Sequence, residues 1–139
     1  MDTEILEDTL NAHGIRPTAV RLLVLKAARG FSDTFSLTDV ENALDTVDRS
    51  SVFRALTAFT EHHLLHEVDD GSGMKKYCLC HNDHACLPEE MHCHFYCERC
   101  RRTYCLETTA LPHVELPSGF EVSTGEYVLK GICPNCRAK

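Results

Sequence analysis

Cys97-Glu98-Arg99-Cys100 and, 32 residues further on, Cys133-Pro134-Asn135-Cys136 share one spacing, and that repetition decides how the end of the chain must fold. Two cysteines separated by two residues can turn both thiolates toward one ion from a tight turn. Two such pairs complete a tetrahedral four-sulfur shell for zinc. A single pair could equally serve as a redox motif; the duplication, with Pro134 shaping the second turn, favours structural zinc. The gap is wider than in a zinc finger, so the pairs should clip the chain end back onto an intervening sheet. Cys97, Cys100, Cys133 and Cys136 are the expected ligands.

The chain has 139 residues, enough for one compact domain or two small ones. Cores of that size often need a staple, and a bound metal supplies one because its affinity for folded ligands becomes folding free energy. Nine cysteines would mean disulfides only in an exported protein. Met1-Asp2-Thr3-Glu4 is acidic with no apolar signal core behind it, and no apolar run is long enough to span a membrane. The expectation is a reducing cytoplasm, with the cysteines as metal ligands or buried thiols. The net charge is −7, and residues 1–76 hold 8 Lys/Arg against 13 Asp/Glu. That argues against a nonspecific coat for nucleic acid. Sequence-directed DNA binding stays open if the few arginines share one face.

Going outward from the cysteine pairs, Leu6 and Leu10 give residues 3–13 a short helix. Gly14-Ile15-Arg16-Pro17 breaks it. Val20, Leu23, Val24 and Ala27 then carry a second helix from Thr18 to Gly30. Ser36-Leu37-Thr38-Asp39 is a capping box for a third helix through Ala43 and Leu44, with Phe35 expected to staple onto Val40. Asp48-Arg49-Ser50-Ser51 opens a fourth, whose apolar stripe is Val52, Leu56 and Phe59. His66–Val68 and Lys76–Leu79 flank Asp69-Asp70-Gly71-Ser72-Gly73, the signal of a β-hairpin. This order fits a winged helix-turn-helix, and equally a small helical domain with an appended ribbon. Residues 81–92 lack a period and suggest a hinge. Beyond it lie short strand-like runs around His94 and Tyr96, Tyr104 and Leu106, and Val122 to Ile132. Pro112 and Pro117 break residues 107–118, leaving room for a turn or two of helix.

Four stretches, in order, resemble the ferric uptake regulator (Fur) family of bacterial metal-dependent repressors. They are Gly14–Arg21, Ser51-Val52-Phe53-Arg54-Ala55-Leu56, the run from His92 to Cys100, and Gly131–Cys136. The resemblance implies an α+β protein: an N-terminal winged helix-turn-helix (1–79), a hinge (80–92) and a small C-terminal α/β dimerisation domain (93–139). It implies a structural zinc and a second, regulatory metal that controls affinity for a double-stranded, palindromic operator bound by a homodimer. Thr34 and Cys78 stand where the iron-sensing branch usually carries histidine and glutamate, and Gly125 replaces a third-site histidine. Tyr77-Cys78-Leu79-Cys80-His81 is similar to the zinc uptake regulator (Zur) branch.

His92 and His94 alternate along a strand, so their side chains share one face and can share an ion. With His66 and Cys80, which the resemblance adds, they form a shell of three imidazoles and one thiolate. A thiolate suits zinc better than iron or manganese, which stay as alternatives. Cys78, His81, Cys105 and Glu107 are reserve ligands, Cys105 first because relatives carry an acidic ligand there. On the DNA side, Arg54 can pair with guanine, Ser50 and Ser51 can hold phosphates, and Arg16 can reach a phosphate or a narrow minor groove. The expected function is zinc-responsive repression of metal uptake genes. Rivals are an iron- or peroxide-responsive regulator, a redox switch on Cys78 and Cys80, and a zinc hydrolase with Glu107 as base. For the last, no His-Glu-x-x-His motif is present, and no catalytic residue is assigned.

Overall fold

The computed structural model describes residues 3–79, 92–110, 112–122 and 127–138. The chain divides into two compact units, residues 1–85 and 86–139. The first holds α1 (Thr3–Ala12), α2 (Ala19–Arg29), β1 (Phe35–Ser36), α3 (Leu37–Ala43), α4 (Arg49–Glu61), β2 (Leu65–Val68) and β3 (Lys76–Leu79). Its helices start where the side chains dictate. Thr18 accepts the Arg21 N–H ahead of α2, and Ser36 and Asp39 exchange side-chain bonds with each other's backbone amides at the head of α3. Gly14, at φ +73°, closes the turn after α1, a backbone state glycine adopts without steric cost.

The apolar faces meet in one core. Leu6, Leu10, Val24, Leu25, Val40, Val52, Leu56 and Phe59 converge with Leu64, Leu65 and Tyr77 of the hairpin, all buried. Each such side chain contributes roughly 1.5–3 kcal/mol of transfer free energy. Beside this core, His13 Nδ1 lies 3.4 Å from the His62 carbonyl and His62 Nδ1 lies 3.1 Å from the His13 carbonyl. In their Nδ1–H forms the two rings each donate to the other's backbone, tying the end of α1 to the end of α4. The hairpin is the wing, in a sheet ordered β1-β3-β2 with every pair antiparallel. Lys76 donates to the fully buried Asp70 at 3.1 Å, and the other Asp70 oxygen accepts the Ser72 N–H at 2.9 Å. The wing tip is therefore pinned by an internal ion pair. Phe35, expected only as a staple, also forms β1 opposite Tyr77 and stacks on Phe31 and Tyr77.

The second unit holds β4 (His92–Cys97), β5 (Thr103–Ala110), β6 (Val128–Gly131) and α5 (Pro134–Arg137). The sheet order is β5-β4-β6, with β5 antiparallel and β6 parallel to the central strand. Two expectations need correcting. The stretch 107–118, read as broken by Pro112 and Pro117 with room for a turn or two of helix, starts as strand instead: β5 continues through Glu107, Thr108 and Thr109 to Ala110, and threonine is at home on a pleated strand. Val122 lies outside any strand and is exposed. No helix occurs among the described residues of 107–118. Gly131 packs closely on the Phe95 ring: a Cβ there would stand 3.2 Å from it, so the ring would have to shift by a few tenths of an ångström to admit a larger residue. The expected hinge falls almost wholly on residues 80–91, outside the described residues. Among the described residues, no helix is long and apolar enough to cross a membrane.

Candidate metal centre and nucleic-acid interface

β4 delivers Cys97 to the end of the sheet, and the chain turns at once. Arg101 takes a left-handed conformation (φ +64°) so that its N–H can return to the Cys97 carbonyl at 2.8 Å. β6 ends beside this turn, and Pro134, with φ preset for a helix, starts α5 directly after Cys133. The outcome is a cluster in which the Sγ atoms of Cys97, Cys100, Cys133 and Cys136 all lie within 4.8 Å of one another. Cys100 Sγ and Cys133 Sγ stand 3.8 Å apart. Sulfurs about 2.3 Å from a zinc ion at the centre of a tetrahedron are spaced by about 3.8 Å, so the donor set fits that ion. Four protein sulfurs leave no open coordination position, which suits a structural site and not a hydrolytic one.

The surroundings prepare these thiols unequally. Cys97 is completely buried, which opposes ionisation. Backbone N–H groups of Cys100, Cys133 and Arg99 together outweigh that burial and bring its thiol down to about 6; those from Cys100 and Cys133 are each 3.4 Å from the sulfur. Cys133 is also lowered, chiefly by a hydrogen bond from Tyr104 and then by the Cys136 backbone. Burial and then its bond with Cys133 push Cys136 up to about 12. Tyr104 is itself raised to about 12 by the bond to Cys133 and by burial, and the Arg102 guanidinium sits 4.9 Å above its ring. Arg99 donates to the Cys136 carbonyl at 2.9 Å. Sequence reasoning missed Tyr104, Arg102 and Arg99 as supports. The available signal was that the strand after the first cysteine pair begins Thr103-Tyr104, which returns an aromatic hydroxyl toward the turn.

The residues expected to hold a regulatory metal are distributed as follows. His66 on β2 lies directly opposite Cys78 on β3, and His94 on β4 directly opposite Cys105 on β5. Such opposed residues share a face of the sheet within side-chain reach. Cys78 is buried, and His94 Nε2 is shut off from solvent. His92 is the first residue of β4, in register with Ala110, beyond an irregularity that separates it from Cys93. Glu107 belongs to β5. Cys80 and His81 lie outside the described residues.

α3 and α4 form the helix-turn-helix, joined by Arg49, which bonds Glu41 at 3.1 Å and Thr38 at 3.4 Å. Ser50, Phe53 and Arg54 of α4 are exposed, and Ser51 is partly so. Asp48, the cap of α4, accepts both the Ser51 N–H at 3.3 Å and the Ser51 hydroxyl at 2.6 Å. Arg54 Nη2 in turn donates to Ser51 Oγ at 3.3 Å. These bonds, the hydroxyl first and then the amide, lower the Asp48 carboxyl below its ordinary value. Arg16 is exposed before α2, and its carbonyl accepts from Arg21 at 2.8 Å. Asp48 was read only as the start of a helix; its link to Arg54 needs three dimensions to see.

No family model matches the chain, and no curated protein matches it. Solved structures do. A zinc uptake regulator complexed with zinc and DNA is 23% identical, with a TM-score of 0.65 over 99% of this chain and 97% of its own. The Helicobacter pylori ferric uptake regulator, described with three functional metal-binding sites, is 12% identical with a TM-score of 0.66 over 99% and 95%. The Vibrio cholerae ferric uptake regulator is 16% identical with a TM-score of 0.64 over 91% and 98%. The chain therefore has the fold of the ferric and zinc uptake regulators, a winged helix-turn-helix followed by a small α/β unit, as the sequence resemblance implied.

Proposed function

We propose that the chain is a member of the Fur family, not an enzyme, and acts as a homodimeric, metal-dependent transcriptional repressor that responds to zinc. The observation that carries the reading is the match along nearly the whole chain to a zinc uptake regulator bound to zinc and DNA. Support for zinc over iron or manganese comes from the donors: His66 on the wing and His94 on the second sheet each face a cysteine, whereas His92 is in register with Ala110. The four cysteines hold a structural zinc, and His66, Cys80, His92 and His94 hold the regulatory one, with Cys105 and Cys78 as the next thiolates and His81 and Glu107 behind them. Zinc supplies a Lewis-acidic centre for these donors. It raises DNA affinity only by the margin with which it prefers the DNA-competent state. Thiolate ligands of this kind suit a reducing cytoplasm.

Arg54 and Phe53 of α4 would read base edges of a palindromic operator, with Ser50 and Arg16 on the backbone. A second copy would cover exposed apolar side chains of the second unit such as Val114, Phe120 and Leu129. The test is zinc content per chain of reductively purified protein, measured beside DNA binding at buffered free zinc, ferrous iron and manganese. Two zincs per wild-type chain and one in Cys80→Ala, with zinc-dependent DNA binding lost, are expected. If Cys80→Ala keeps both zincs while Cys105→Ala or Cys78→Ala loses one, the thiolate is reassigned. Activation by manganese or iron at free levels where zinc fails would overturn the zinc reading.

A further inference from the structure

A helix that enters a DNA groove ordinarily brings free N–H groups and a positive dipole end to its N-terminus, and a phosphate is drawn there whatever the sequence. α4 keeps only part of this feature, because its own cap takes the Ser51 N–H and sets a carboxylate at the position. Asp48 takes the Ser51 N–H on one oxygen and the Ser51 hydroxyl on the other. The hydroxyl proton is thus directed inward, and its lone pairs face Arg54, whose Nη2 donates at 3.3 Å. The whole chain is acidic at −7, so a further fixed negative charge beside the reading face opposes DNA unless it does something specific.

We propose that Asp48 is a specificity-determining positioning residue: it denies the N-terminus of α4 to DNA phosphates and, through Ser51, holds Arg54 for base reading. This rests on α4 being the DNA-reading helix. The two effects have different targets. A carboxylate at the cap weakens contacts to any duplex, because nonspecific binding is almost wholly phosphate attraction. An arginine already held in place loses less freedom when it meets a guanine, and that gain exists only on the correct sequence. Arg54 keeps the rest of its five-donor fork for the base while one donor is on Ser51. Together they widen the gap between operator and random DNA at a cost in absolute affinity. This suits a repressor with few arginines, which depends on discrimination more than on charge.

Asp48→Asn removes the charge and keeps the backbone cap, because the one acceptor oxygen of asparagine can take the Ser51 N–H as aspartate does, while its amide nitrogen gives up the bond from the Ser51 hydroxyl. Ser51→Ala removes the relay and keeps the charge. Zinc-loaded full-length wild-type protein is first used to select duplexes from a random-sequence library. Dissociation constants of all three proteins are then measured for the selected duplex and a scrambled one, across a salt series. Asp48→Asn should bind the scrambled duplex about 10-fold tighter, with a salt slope steeper by about one ion, and the selected duplex no more than about 3-fold tighter. Ser51→Ala should weaken the selected duplex by about 5-fold and the scrambled one by no more than about 2-fold, the share its hydroxyl has in phosphate contact. An unchanged ratio in Asp48→Asn, or equal weakening of both duplexes, would show a mere cap and overturn the inference. Failure of the wild-type protein to enrich any duplex would instead remove α4 as the reading helix, and the inference with it.

Discussion

The two units reach stability by different means. Among the described residues of the first, fifteen buried side chains from four helices, three strands and the turns between them close around one another. Among those of the second, the buried cluster is Cys97, Cys133 and Cys136, with Phe95 and Tyr104 packed against it. Val114, Leu116, Phe120 and Val122 of that unit remain exposed. At about 25 cal/mol per Å² of apolar surface buried, so small a cluster cannot by itself order a three-stranded sheet. The difference teaches that, with zinc on the four cysteines as proposed, a sheet of this size would be ordered by coordination bonds, while the helical unit is ordered by exclusion of water. Chelation and cavity creation should therefore strike opposite ends of the chain.

The largest effect should follow loss of the metal. Structural zinc of this type is worth roughly 10–16 kcal/mol of binding free energy at neutral pH, so Cys133→Ser should unfold the second unit. Near-ultraviolet and hydrogen-exchange signals from residues 92–110 and 127–138 should collapse while α1 to α4 stay protected. Uniform loss of protection across both units would abolish the contrast. Next comes Phe59→Ala, at the centre of the helical core with no exposed surface, which should cost about 3–5 kcal/mol. The bound structural zinc should stay at one per chain, which metal analysis during a denaturant titration would follow. Smaller still is Lys76→Met. It takes the cation from the buried Asp70 carboxylate, which keeps the Ser72 N–H, and should cost about 3 kcal/mol, felt at the wing before the helices. Measured local exchange of Leu65 to Leu79 that is no faster than wild type would mean that the ion pair is dispensable. Ser36→Ala removes half of the capping box and should lower stability by about 1 kcal/mol, readable as a small shift in denaturation midpoint with the zinc untouched.

How far the sequence foretold this contrast differs by residue. Ser36 and Asp39 announce a helix start through purely local chemistry, and the reciprocal bonds are found where expected. The four cysteines announce their convergence because a metal shell is legible as spacing. The apolar stripe of Val52, Leu56 and Phe59 predicts its own burial. What stayed hidden depends on partners far along the chain. Phe35 forms a strand only because Tyr77 arrives beside it, and nothing between Phe35 and Tyr77 says so. β5 is carried on to Ala110 because His92 of β4 is there to pair with it, across an irregularity that spans Glu107 to Thr109; locally the nearby prolines argue for a break. The facing of His94 by Cys105 is a matter of register, which neither segment carries alone. Tyr104 reaches Cys133 for the same reason.

β4 and β6 run parallel, with Cys97 opposite Gly131 and Cys133 two residues past it. A hairpin sets its own alignment through its turn, but parallel neighbours are joined by a long crossover that leaves the count of residues open. Sliding β6 by one residue would carry its side chains to the opposite face and move Cys133 and Cys136 away from the first pair. Such a misaligned sheet would offer an ion two sulfurs in place of four. Zinc on these sulfurs would therefore act as a proofreader of folding: it would bind tightly only the chain that has counted correctly and leave slipped sheets unrewarded, to open and try again.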